Sequence, residues 1–244
     1  MPSGSFLITG SINIFDNDYS AIQRYKFFSN YVQNSFYWRY LCAGKIGSAS
    51  KKWNKMFKEI YKTTILLIFK PSEAWVRLRN KRTEDHERFL ADFVYPFIGM
   101  ITVAAFLGIL FTRKEFDLQI ALKAVIMTIL SAFGGFFLAS YLLNELWHSM
   151  FHRERNMKLC QRFVGYSSVL MFSLNIILCL FPNFFFLRFF VLYTIVIVWE
   201  GAIPYMEVDG SVQLKFVVCT TIIVLFMPMA LAFIFERLMP GLRF

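Results

Sequence analysis

The chain has 244 residues, is 57% hydrophobic with a mean hydropathy of +0.50, and carries a formal charge of +10. A soluble domain of this size shows amphipathic stripes with charges on one face, whereas the long apolar runs here are apolar all round and too continuous for the strands of a barrel. Seven Lys/Arg and two Asp leave +5 on residues 1–55, and the other +5 falls on 56–244. No nucleic-acid motif accompanies this charge, so its expected counterpart is anionic head groups on the cytoplasmic side of a membrane.

Residues 1–55 mix aromatic, polar and basic residues without a sustained helical or strand period. They read either as a loosely ordered basic tail or as a mis-assigned upstream extension, with the natural protein starting at Met56. Met1–Phe15 lacks the basic n-region of a secretory signal, and Gly4, Gly10 and Asn13 interrupt any apolar core. Residues 56–92 form a cytoplasmic interfacial region. Within it, 56–69 reads as a short amphipathic helix lying in the interface, with Lys58, Lys62 and Lys70 toward head groups. Pro71 ends that helix and suits the first turn of another, with Glu73 near its positive end. Trp75 reads as an interfacial indole anchor, and the charged stretch 77–88 as solvated.

Residues 93–244 hold five apolar runs of spanning length. Phe93–Thr112 is twenty uncharged residues, Ala124–Asn144 twenty-one, Phe163–Leu187 twenty-five and Phe216–Phe235 twenty. A run from Phe184 to Ile203 is broken only by Arg188 and Glu200. About 20 helical residues cross a hydrocarbon layer of roughly 30 Å. The fold class expected is all-α: a polytopic bundle of five transmembrane helices at 93–112, 121–143, 163–181, 184–203 and 216–235, preceded by the interfacial helix. Pro182-Asn183 divides the third and fourth into a hairpin, and Pro228 is expected to kink the fifth.

Lys/Arg counts near the spans set the orientation. One side holds Arg77, Arg79, Lys81, Arg82, Arg88, Arg153, Arg155, Lys158, Arg162 and Lys215; the other holds Arg113, Lys114, Lys123, Arg188, Arg237 and Arg243. The N-terminus is therefore expected in the cytoplasm and the C-terminus outside. Cys42, Cys160, Cys179 and Cys219 show no CxxC or Cys/His cluster and read as free thiols, with Cys160 in a cytoplasmic loop.

The stretch Lys70-Pro71-Ser72-Glu73-Ala74-Trp75 resembles the P-S-x-A-W opening of bacterial proteins with the Yip1 domain. Asp92-Phe93-Val94-Tyr95-Pro96-Phe97 is similar to that family's proline entry into the first span. Gly165-Tyr166-Ser167 is similar to its Tyr-Ser or Gly-Tyr element at the start of the third. The resemblance covers roughly residues 56–240. It implies a five-span membrane protein with a cytoplasmic N-terminus in the bacterial inner membrane, and it supports a start near Met56. Eukaryotic relatives are Golgi and endoplasmic-reticulum proteins linked to Rab GTPases and vesicle traffic, so the resemblance implies architecture more than chemistry. The chain departs from the pattern at Ser168–Phe172, where many relatives carry a proline and this sequence has none.

Glu145, His148 and His152 share a helix face at i, i+3 and i+7, a spacing that suits zinc or iron. The preferred reading is a polar interfacial face beside Trp147. Ser131, Gly135 and Ala139, and the shorter pair Ala104 and Gly108, form small-residue ridges that favour close helix packing, with a Gly134-Gly135 hinge as the alternative. Asn175 reads as buried polar glue or, less simply, as the lining of a substrate path; Glu200 lies at the cytoplasmic end of its span. No nucleotide loop, nucleophile elbow or catalytic pair is present in the sequence, so no enzyme activity and no cofactor are expected. The leading expectation is a membrane protein acting through lipid head groups and other membrane proteins, or as a homo-oligomer. The surfaces involved would be 57–69, 77–88 and 144–162. A small transporter and an intramembrane metal enzyme are the alternatives.

Overall fold

The computed structural model of the chain describes residues 53–82, 86–112 and 117–238. By its contacts the chain separates into Met1–Lys55 and Met56–Phe244; the packing below belongs to the second unit. The expectations for 1–52, including Cys42, and for Arg113, Lys114 and Arg243 lie outside the described residues. Among the described residues the secondary structure is helical, with no strand.

Helix α1 (53–69) ends at Lys70, and α2 (Pro71–Asn80) follows at once. Pro71 occupies the first turn of α2, where its missing amide removes no bond. Glu73 in the first turn and Arg77 and Arg79 in the last oppose the helix dipole correctly. α1 buries Ile60 and Leu67 in the main core while Tyr61 and Phe69 face outward.

The first apolar helix is continuous from His86 to Phe111. It begins as α3 (His86–Phe89), passes through a π turn (Leu90–Val94) and continues as α4 (Tyr95–Thr112). The π turn has a local cause. Pro96 has no amide to donate to the preceding turn, and the Tyr95 amide instead reaches Leu90 O, five residues back. The helix thus starts several residues before the predicted boundary at Phe93.

α5 (Leu118–Phe151) has 34 residues, about 51 Å of helix, so it projects well beyond a hydrocarbon layer. Asp117 caps its start by accepting from the amides of Gln119 (2.8 Å) and Ile120 (3.4 Å). His152 closes its end at φ 51°, returning its amide to Trp147 O. α6 (Met157–Ser167) and α7 (Val169–Leu180) together replace the predicted third span, bent by 45° at Ser168. The bend therefore forms without the proline that relatives carry.

The predicted fourth span is α-helical only in its second half. Pro182–Tyr193 is a 3-10 segment with a non-helical residue at Phe184, and α8 (Thr194–Ala202) completes it. α9 (Gln213–Leu238) runs as one helix through Pro228. Among the described residues, four helices are long and apolar enough to cross a membrane, or five if the bent α6–α7 pair is one span. In packing, α5 lies between α4 and α9, α7 lies against α4, α8 against α9, and α2 against α8; α6 touches α5, α7 and α8.

Candidate functional site

The polar end of the bundle is built around α6. Every residue from Leu159 to Ser167 is buried, including Gln161 and Arg162. A buried guanidinium must be hydrogen-bonded to persist. Arg162 Nη1 donates to Lys81 O (3.1 Å) and Arg82 O (2.6 Å), and its guanidinium lies 5.9 Å from the Phe89 ring. The side chain thereby satisfies carbonyls at the C-terminal end of α2 and ties that helix to the bundle. Next to it on α6, Gln161 Oε1 accepts from His86 Nε2 at 2.6 Å. The sequence predicts Arg162 at the end of the loop 144–162 between the second and third spans; it lies instead inside α6, and buried.

Trp75 is the second tie. The expectation of an exposed interfacial anchor is overturned, because its side chain is fully buried. Its indole Nε1 donates to Ile197 O at 2.8 Å. Phe163 stacks on it at 5.0 Å, Tyr205 lies at 5.1 Å and Tyr166 meets it edge-on at 6.1 Å. Gly201 makes the room: a Cβ there would lie 2.5 Å from Trp75 Cε2. Gly165 serves Phe89 in the same way, at 2.7 Å from Phe89 Cζ. Tyr166 lies within 5.0 Å of Phe89 and 4.9 Å of Phe93. Four residues of the family-like motifs thus share this region: Trp75 and Tyr166 in direct ring contact, Gly165 beside Phe89, and Ser167 fully buried at the end of α6. Tyr95 and Pro96 do not join them: Tyr95 is exposed and stacks on Phe133 at 6.2 Å, and Pro96 sets the π turn. Pro71 starts α2.

The segment after α8 folds back over α2. Glu207, at φ 56°, accepts from Arg82 (3.0 Å) and Arg79 (3.5 Å). A left-handed conformation at a non-glycine residue is strained by about 1–3 kcal/mol, and here it aims the carboxylate at two arginines. Arg153 pairs with Asp209 at 3.8 Å and Arg155 with Glu145 at 3.0 Å. These exposed pairs each contribute about 0–1 kcal/mol, so they align loops more than they stabilise the fold.

Tyr205 lies under this loop, fully buried, and burial pushes its phenol up to about 12, against the opposing pull of Arg162 and Arg82. The unfolded phenol ionises near 10. Stability is therefore unaffected below about pH 10 and falls as pH rises from 10 to 12, by up to about 3 kcal/mol. Tyr205→Phe is expected to remove this alkaline loss. The check is melting temperature against pH for both proteins, and superimposable profiles would refute it.

The other predicted residues are placed as follows. Glu145 is held by Arg155, His148 Nδ1 lies 3.3 Å from Arg153 O, and His152 is the cap of α5. Among the described residues no three His, Cys, Asp or Glu gather at metal-holding distance. Cys160 is on α6 and buried, not in a loop, with its thiol 3.9 Å from Asn144 Oδ1. Gly135 receives Pro228 of α9, with Pro228 Cα 2.6 Å from where a Cβ would stand, and Gly134 faces Leu231 at 3.0 Å. Ala139 and Ala104 are buried; Ser131 is half-buried and donates to Thr128 O. Gly108 abuts the backbone carbonyl of Cys179. Asn175 and Glu200 are half-buried.

A family model, the Yip1 domain, matches residues 65–234. The chain belongs to the Yip1 domain family and is a multi-pass integral membrane protein. Comparison with curated proteins and with solved structures gave no match.

Proposed function

We propose that this Yip1 protein is a non-enzymatic organiser of the membrane, recruiting partners through the polar end of its bundle. That end would face the cytoplasm of a bacterial cell from the inner membrane, with the N-terminus on the same side and the C-terminus, after five crossings, outside. The supporting observation is the docking of α2. This ten-residue helix is too short to span, yet Trp75 and Arg162 fix it to the bundle. Fixed in this way, it holds Arg77 and Arg79, and Lys81 just past its end, outward on a rigid support. Arg88 and Lys158 are exposed as well. A fixed basic surface suits anionic head groups and acidic partner segments, and α1, with Tyr61 and Phe69 outward, would lie in the adjoining interface.

Two measurements test this. Gly210 has open space around it, so Gly210→Cys is tolerated, and an impermeant maleimide should label it only from the cytoplasmic side. Labelling in intact cells from outside would reverse the orientation. Affinity purification in mild detergent should recover a reproducible partner that the variant Arg77→Gln/Lys81→Gln/Arg88→Gln loses. Solute flux in liposomes without any reproducible partner would replace this reading with the transporter.

A further inference from the structure

Away from the polar end, Arg188 faces outward with no protein counter-charge among the described residues. Arg188 is the single charged residue between Phe163 and Trp199. It is exposed, and no ion pair to it is present among the described residues. It lines an open groove of about 330 Å³ together with Leu178, Pro182, Phe185 and Phe189.

The 3-10 geometry places this groove in depth. From Phe185 to Tyr193 the rise is about 2.0 Å per residue, and α8 adds about 1.5 Å per residue, together about 32 Å, which matches the hydrocarbon layer. Arg188 then lies about 6 Å inside the layer's edge, within the range over which an arginine snorkels. At that depth the apolar walls face acyl chains and the guanidinium reaches the head-group plane. The anion available there is a lipid phosphate, and a planar guanidinium pairs with phosphate by two parallel hydrogen bonds. Pairing with such a phosphate gives the guanidinium the counter-charge that no described residue supplies.

We propose that this groove is a phospholipid site, in which Arg188 binds the phosphate of a glycerophospholipid in the leaflet opposite the polar end and Leu178, Phe185 and Phe189 hold the acyl chain. Native mass spectrometry of the full chain, extracted in mild detergent, reads the site directly. The wild type should retain one more phospholipid per chain than Arg188→Gln. Arg188→Lys, a point cation without the fork, should retain it at reduced occupancy. Leu178→Trp keeps the charge and fills the groove, so it should lose the lipid while still folding; this keeps the test decisive if Arg188→Gln does not fold. Phosphatidylglycerol added to delipidated wild type should raise its melting temperature, and inorganic phosphate should not. Equal lipid retention in Leu178→Trp and wild type, equal stabilisation by inorganic phosphate, or loss of a dimer in Arg188→Gln would each overturn the proposal.

Discussion

Replacing Trp75 with alanine should lower the stability of the bundle by about 3–5 kcal/mol, the range for removing a fully buried large aromatic. The side chain has no exposed surface and is in contact with three other aromatic rings. The void cannot close easily, because Phe163, Tyr166 and Tyr205 are themselves held by α6 and the turn after α8. Trp75→Phe separates two contributions. It keeps the ring stack but deletes the donor to Ile197 O, so it should cost only about 0.5–1.5 kcal/mol from the bond, plus the smaller ring. Gly201→Ala approaches the same contact from the other side, and with 2.5 Å to the indole it should destabilise by about 1–3 kcal/mol. Melting curves in one detergent give all three values, and limited proteolysis reports whether α2 has come away. If Trp75→Ala melted with the wild type and left α2 protected, the docking of α2 would not depend on this residue.

Gly108→Ala is the second large effect. The added methyl would overlap the carbonyl of Cys179, which is backbone and cannot rotate aside as a side chain would. α4 and α7 must separate along their seam, and close approach is what holds helices together where lipid is as apolar as leucine. The expected loss is about 1–3 kcal/mol or more, despite the better helix propensity of alanine. Gly99→Ala, on the same helix with nothing within 4 Å of the new methyl, is the matched control and should be neutral or slightly stabilising. Equal melting temperatures for the two variants would show that the α4–α7 contact is loose.

The spans were legible because length and continuity of apolar residues report the hydrocarbon thickness directly. Pro71 and the Pro182 turn were legible because proline acts locally. What the sequence concealed depended on distant partners or on geometry to which composition is blind. Trp75 lies among Arg77, Arg79 and Glu73, so its own neighbours mark it as interfacial; its socket comes from Phe163, Tyr166, Gly201 and Tyr205. Gly201, a small residue closing an apolar helix, was the one local hint. Arg162 opened an apolar run and so read as a loop charge, whereas the carbonyls that receive it end a helix eighty residues earlier. The bend at Ser168 has no proline to announce it. The Phe-rich stretch 184–193 suits either an α-helix or a 3-10 segment, since hydropathy does not encode rise per residue.

The Trp75–Ile197 bond also fixes an order of events during synthesis. The partners are 122 residues apart. At translation rates of about 5–20 residues per second, α2 is made some 6–24 s before its acceptor. Throughout that interval the indole lacks its hydrogen bond, and until Phe163 and Tyr166 are made it lacks the rings of α6 as well, so that the apolar face of Ala74, Trp75 and Leu78 has at first only the head-group region to rest against. Docking of α2 is therefore one of the last steps of maturation, and it completes only when the turn after α8 has closed. A chain stalled or cut before Gly201 would lack α9 yet carry its earlier spans in the membrane and still present an undocked α2, an exposed aromatic tag of incomplete assembly for a quality-control protease or chaperone to read.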